Sequence, residues 1–299
     1  MRTFWKYHGA GNDFVVLDVR TDSIDDPASL AIRVCHRRLG VGADGILLLG
    51  PTDQDGCDVS MRIYNSDGSR AEMCGNGLRC IVKHVLDAEP GRDTLTVGTG
   101  AGPLACQAHR DADGAVNTVR VAMGKPILER AAIPVAGDGR PVRETIDHPD
   151  GASFEFTGVS MGNPHAVIFL GEGDPLVHAR RFGPGLEGHR RFPNNANISF
   201  VRADGTSLRA AVYERGAGLT AACGTGACAI GVAAGLEDRV PFGTPMTVSL
   251  PGGDLTICVD PDLQNVWMTG PARRVFESQL DESQLATVEA CQSLTKAIS

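Results

Sequence analysis

Short runs of apolar residues, several of them alternating with polar ones, recur along most of the chain between glycine turns, the pattern of strands joined by tight connections. Residues 3–19 read as a strand, the turn His8-Gly9-Ala10-Gly11-Asn12-Asp13, and a second strand of buried type, Phe14-Val15-Val16-Leu17. Asp25-Asp26-Pro27 offers a helix start, and residues 28–38 continue as a helix that Gly40 ends. Further strands are expected at 46–49, 58–64, 94–97, 102–108 and 116–123, with a helix over 78–86. Gly124-Lys125-Pro126 breaks the pattern, and the domain change is placed there.

The second half repeats the first. Strands are expected at 154–159, 166–170, 198–201, 248–250, 255–259 and 266–269, and few other helices besides one that follows Cys223. That helix, 226–236, has no charged face at all, and a helix apolar all round is buried all round. Asn12 stands 62 residues before Cys74 and Asn163 stands 60 before Cys223, while Tyr64 and Tyr213 each stand ten before the cysteine that follows. A duplicated unit of about 150 residues is too long for a solenoid. The expected fold class is α+β, with two pseudo-symmetric lobes, each a curved mixed sheet around one central apolar helix. The N-terminal lobe spans 1–123 and carries Cys74, completed by 273–299; the C-terminal lobe spans 124–272 and carries Cys223. The polar tail 278–299 is either a docked helix or a mobile end.

A formal net charge of −8, without a long Lys or Arg run, argues against a nucleic-acid or anionic-membrane partner and leaves a small molecule. No apolar stretch reaches membrane-spanning length, and the N-terminus leads directly into a glycine motif, so a cytoplasmic enzyme is expected. Nine cysteines without a Cys-x-x-Cys pair suit a reducing compartment and not structural zinc; no metal is expected.

Two of those cysteines carry the chemistry. Cys74-Gly75-Asn76-Gly77 and Cys223-Gly224-Thr225-Gly226 each open a helix, where unpartnered N–H groups and the helix dipole favour anions and ease thiol ionisation. Two such thiols about one carbon form the acid and base that a racemase or epimerase needs, one as thiolate and the other as thiol. None of the four lysines (6, 83, 125, 296) has a convincing pyridoxal-phosphate context, so no cofactor is expected. The carbanion would be stabilised through its carboxylate by the N–H groups at Gly75-Asn76 and Gly224-Thr225. His165 and Glu214, if beside the pair, set which protonation states coexist. Asn12, Asn65, Asn163 and Asn197 are each ordinary turn asparagines taken singly, but their matched places suggest a polar ring for a zwitterion, with Arg215 gripping a carboxylate. Cys35, Cys57, Cys106, Cys258 and Cys291 read as small hydrophobes, and Cys80 and Cys228 as helix core. For Cys74 and Cys223 the bland readings are a disulfide or simple packing, which the repeated context opposes.

These motifs, with Gly9-Ala10-Gly11-Asn12-Asp13-Phe14, Tyr64-Asn65-Ser66-Asp67-Gly68, Gly162-Asn163-Pro164-His165, Asn195-Ala196-Asn197 and Tyr213-Glu214-Arg215-Gly216, make the chain resemble the diaminopimelate epimerase family from about residue 6 to 276. The resemblance implies interconversion of LL- and meso-diaminopimelate on the route to lysine and peptidoglycan, without pyridoxal phosphate. It also implies catalytic Cys74 and Cys223, tuning by His165 and Glu214, closure on substrate, and often a homodimer. Substrate contacts are implied at Asn12, Asn65, Asn163, Asn197, Glu214 and Arg215, with main-chain contacts at Gly75, Asn76, Gly224 and Thr225. The chain departs from the pattern at Leu219, where many members carry Glu, at Gly45, where some carry Gln, and in the tail beyond Ser278. The rival readings are a proline racemase or hydroxyproline epimerase, which is similar in fold, and a non-catalytic amino-acid-binding relative.

Overall fold

In the computed structural model, which describes residues 1–298, the first apolar runs form β1 (Arg2–Gly9) and β2 (Asn12–Asp18). They pair antiparallel about Ala10 and Gly11, whose φ values of 52° and 79° are the two positive angles a tight hairpin turn requires. That turn makes Asn12 the first residue of β2. Helix α1 (Pro27–Cys35) begins where expected, with Asp26 accepting from the Ser29 N–H at 3.0 Å and proline in the first turn. It stops short of residue 38 because the His36 ring folds back, its Nδ1 accepting from the N–H groups of Arg38 and Leu39 at 3.2 and 3.0 Å.

The chain continues through β3 (Gly45–Gly50), β4 (Val59–Asn65), β5 (Arg70–Ala71), α2 (Gly75–Asp87), β6 (Thr94–Thr99), β7 (Gly102–Arg110) and β8 (Val116–Ala122). β2 and β3 run parallel, β3 and β4 antiparallel, β4 and β6 parallel, and β6, β7 and β8 antiparallel in turn. This mixed sheet wraps α2, which touches β1, β2, β3, β4, β6 and β7. Every residue of α2 from Gly75 to Leu86 except His84 is buried. Its charged Lys83 is accommodated by the Val116 carbonyl at 2.6 Å and Asp87 at 2.8 Å, as burial of an ammonium demands.

Residues Ala122–Gly270 form a second unit. It contains β9 (Glu144–Asp147), β10 (Ser153–Ser160), β11 (Pro164–Phe169), α3 (Pro175–Glu187), β12 (Asn197–Asp204), β13 (Ser207–Glu214), β14 (Gly218–Leu219), α4 (Gly224–Leu236), β15 (Met246–Leu250), β16 (Gly253–Val259) and β17 (Val266–Pro271). The pairings repeat those of the first unit: β11 and β12 parallel, β12 and β13 antiparallel, β13 and β15 parallel, then β15, β16 and β17 antiparallel. α4 is buried from Gly224 to Gly235 apart from Thr225, and burial of side chains such as Ile230 and Val232 contributes about 1.5–3 kcal/mol each. Helix α3 has no counterpart in the expected elements, and its Gly183-Pro184-Gly185 is a turn-favouring sequence. It forms because Asp174 caps the N–H groups of Leu176 and Val177, and because Ala179, Phe182 and Leu186 join the core of Phe156, Phe192 and Phe200.

The chain from Pro271 onward returns to the first unit, formed otherwise by Met1–Val121. β18 (Arg273–Leu280) pairs antiparallel with β1, and α5 (Val288–Ile298) packs on α1. Arg33 on α1 fastens this return by donating to the carbonyls of Glu282, Leu285 and Ala286. Of the two expectations for the tail, the docked helix is the one formed.

Candidate active site

Cys74 is the N-cap of α2, in extended conformation (φ −144°, ψ 113°), and its side chain makes no capping bond. The helix therefore presents its first-turn N–H groups beside a sulfur that does not cap them. Cys74 Sγ stands 3.7 Å from Asn12 Oδ1, which also accepts from Asn76 Nδ2 at 3.3 Å. Asn12 in turn donates through Nδ2 to Asp44 Oδ2 at 2.6 Å. Beneath them the fully buried Arg79 donates to Asn76 Oδ1 at 2.8 Å, the Gly75 carbonyl at 3.3 Å and the Pro271 carbonyl at 3.1 Å. β1 comes so close that a Cβ on Gly9 would lie 2.9 Å from the Asn76 carbonyl oxygen, which explains glycine there. Asp44 also accepts from the Asp13 N–H and from Arg37. Burial pushes Asp13 up, but hydrogen bonds from Arg37 and Lys6 outweigh it and hold the carboxyl down at about 2.

Asn65 takes no part in these bonds. It closes the turn after β4, its Nδ2 donating to Ser69 Oγ at 2.9 Å, opposite Gly45 in the β3–β4 register. A Cβ on Gly45 would fall 2.7 Å from the Tyr64 carbonyl oxygen, so this backbone has no room for the longer side chain of the family pattern.

In the second unit Cys223 is the N-cap of α4 and does cap it, Sγ accepting from the Gly226 N–H at 3.4 Å and standing 3.6 Å from Thr225 Oγ1. Burial pushes the Cys223 thiol well above its ordinary range, and the Glu214 carboxylate beside it pushes it further; Thr225 and the Gly226 N–H act the other way. Burial also raises Glu214, against hydrogen bonds from Thr220 and Cys223. Leu219 packs into the aromatic core, and the neighbouring Thr220 hydroxyl supplies the bond to Glu214.

His165 is buried on β11, in register with Asn197 on β12. Its Nε2 lies 3.0 Å from Asn163 Oδ1, which can only accept, so Nε2 carries the proton and Nδ1 is a bare, buried acceptor without a partner. Burial and the nearby Arg215 charge push His165 down to about 3, so the ring is neutral at any physiological pH. Asn197 donates to the Pro164 carbonyl at 2.8 Å and accepts from the Arg215 N–H at 3.0 Å. The Arg215 guanidinium is exposed, one nitrogen donating to the Asn194 carbonyl at 3.2 Å.

Within the first unit the structure thus gathers Asn12, Cys74, Gly75 and Asn76, with Asn65 apart. Within the second it gathers Glu214, Cys223, Gly224 and Thr225 in one set, and Asn163, His165, Asn197 and Arg215 in another. Asp44, Arg79 and Thr220 escape a reading by motif. Arg79 carries the one usable signal, a charge set among the apolar residues Leu78, Cys80, Ile81 and Val82 of α2. Of the cysteines read as core, burial pushes Cys35, Cys80 and Cys106 each up to about 12, the range of inert thiols.

Residues 4–129 and 157–275 match the family model described as diaminopimelate epimerase. The chain is 45% identical over 291 residues to a diaminopimelate epimerase from Synechococcus sp. (strain JA-3-3Ab), covering 94% of this chain and 98% of that one. It is 45% identical over 286 residues to one from Desulfitobacterium hafniense, covering 94% and 99%. Among solved structures, a hydroxyproline epimerase from Agrobacterium vitis is similar with a TM-score of 0.70 at 18% identity, covering 95% and 93% of the two chains. A methylitaconate-delta-isomerase follows with a TM-score of 0.66 at 15% identity, covering 95% and 97%. Identities this low speak to fold alone.

Proposed function

The chain belongs to the diaminopimelate epimerase family, and on that premise we propose that it interconverts LL- and meso-diaminopimelate with Cys74 and Cys223 as the two proton carriers. The observation that carries this reading is that each of these cysteines, in its own unit, is the N-cap of a buried helix. A thiolate removes the α-hydrogen from one face of the carbon, and the other thiol delivers its proton to the opposite face. The developing charge moves into the substrate carboxylate, where first-turn N–H groups from Gly75-Asn76 and Gly224-Thr225 stabilise it; one such donor is typically worth about 2.7–4 kcal/mol. The roles of the two sulfurs exchange with the direction of reaction.

Glu214 tunes Cys223 through its charge, and neutral His165 offers an acceptor without competing as a cation. Asn12, Asn65, Asn163 and Asn197 supply polar contacts to the two zwitterionic heads, and the exposed Arg215 supplies a fork for a carboxylate. The protein works in the cytoplasm on this small molecule, not on nucleic acid. No helix among the described residues is long and apolar enough to cross a membrane. Val275 and Phe276, exposed on β18, support a homodimer; a monomeric mass by light scattering would count against it.

The direct test is exchange. Without added cofactor, the purified protein is expected to introduce deuterium from heavy water at the α-carbon of diaminopimelate and not of proline. Exchange with proline but none with diaminopimelate would transfer the chain to the ring-substrate reading.

A further inference from the structure

An asparagine beside a thiol can present either a carbonyl, which favours S–H, or an NH2 group, which favours the thiolate. Around Cys74 that choice is made by its neighbours. The Asp44 carboxylate can only accept, and it stands 2.6 Å from Asn12, so the NH2 group must turn to it. On the other side the buried Arg79 guanidinium can only donate and occupies Asn76 Oδ1, so Asn76 offers its own NH2 to Asn12. Both constraints leave Asn12 Oδ1 toward the sulfur. We propose that Asp44 is a positioning residue for Cys74, fixing Asn12 in the orientation that offers the thiol a carbonyl oxygen.

The inference rests on the reading of Cys74 as a proton carrier, and it gives that carrier a specific property. An α-hydrogen is weakly acidic, so a thiolate whose conjugate acid has been stabilised is the stronger base for it. The charged groups around this chain of bonds are Lys6 on β1, Asp13 on β2, Arg37 beyond α1, Asp44 before β3 and Arg79 on α2. Arg37 holds the far oxygen of Asp44 at 2.7 Å, which keeps the near one on Asn12.

The test substitutes Asp44→Asn. Whichever way the new amide turns, it sets a donor against a donor: toward Arg37, or toward Asn12 and the Asp13 N–H. Turned by Arg37, it sets its NH2 against that of Asn12, so the Asn12 amide is no longer held with Oδ1 toward Cys74 and its NH2 gains access to the sulfur. Alkylation of Cys74 by iodoacetamide, followed by mass spectrometry of its peptide across a pH series, reports the ionisation of that thiol without turnover. In Asp44→Asn the midpoint is expected to fall by about one unit, so that alkylation below the midpoint is about tenfold faster. Asp44→Ser, which loses the carboxylate without a competing amide, is expected to shift it the same way by less. If Asp44→Asn fails to fold, Asp44→Ser decides alone. A midpoint unmoved or raised in a variant that melts like the parent overturns the proposal, since looser packing alone gives no directed shift. Failure of epimerisation in the unaltered protein would instead strike the reading of function and leave this measurement free to pass or fail.

Discussion

Cys74→Ala and Cys223→Ala are each expected to lower epimerisation of diaminopimelate by at least about 10³-fold, within the range general acid–base groups contribute. Loss of one sulfur leaves one face of the α-carbon without a proton carrier, so net inversion fails while the remaining thiolate still reaches its own face. The two variants should therefore differ in kind. Each retains slow α-deuterium exchange with one stereochemistry at the reacting centre, with return to the same face, and the favoured stereochemistry is opposite in the two. Folding is not expected to confuse the result at Cys74, whose side chain caps nothing. At Cys223 the capping bond to the Gly226 N–H is lost, a cost of about 1 kcal/mol that a thermal melt will register separately. Either variant retaining full turnover would end the two-thiol mechanism.

The parts legible from sequence are those that local rules decide. A two-residue turn with positive φ calls for a glycine such as Gly11, a helix without charge must be buried, and a Cys-Gly-x-Gly turn places its cysteine at a cap. Each of these is written within a few residues. Asp44 and Arg79 lie 32 and 67 positions from Asn12, and their meaning comes only from parallel pairing of β2 with β3 and packing of α2 under β1. The same holds for Leu219 and Thr220. By sequence Leu219 is a lost polar group, whereas in space it completes an apolar cluster while Thr220 takes the bond to Glu214. Helix α3 was hidden for the opposite reason, since its glycines and proline carry a strong local turn signal that the Asp174 cap and the burial of Phe182 override.

Glu214 should give an effect that Cys→Ala cannot, making a thiol more reactive while turnover falls. Burial is the leading reason Cys223 resists ionisation, and the Glu214 charge adds to it. Glu214→Gln keeps the burial, removes the charge, and leaves the Gly226 N–H and Thr225 to favour the thiolate. Cys223 should then ionise at lower pH, with alkylation at pH 8 rising by about tenfold or more. Turnover requires one sulfur protonated while the other is not, so earlier loss of the Cys223 proton moves the basic limb of the pH–rate profile to lower pH. The acid end behaves differently. Burial raises Glu214 above the usual carboxylate range, so as pH falls through that raised value the parent loses the same charge the variant lacks. The Cys223 alkylation rates of parent and variant should converge there and separate as pH rises. Parallel curves at every pH, or a basic limb displaced upward, would show that Glu214 does not act on Cys223 through its charge.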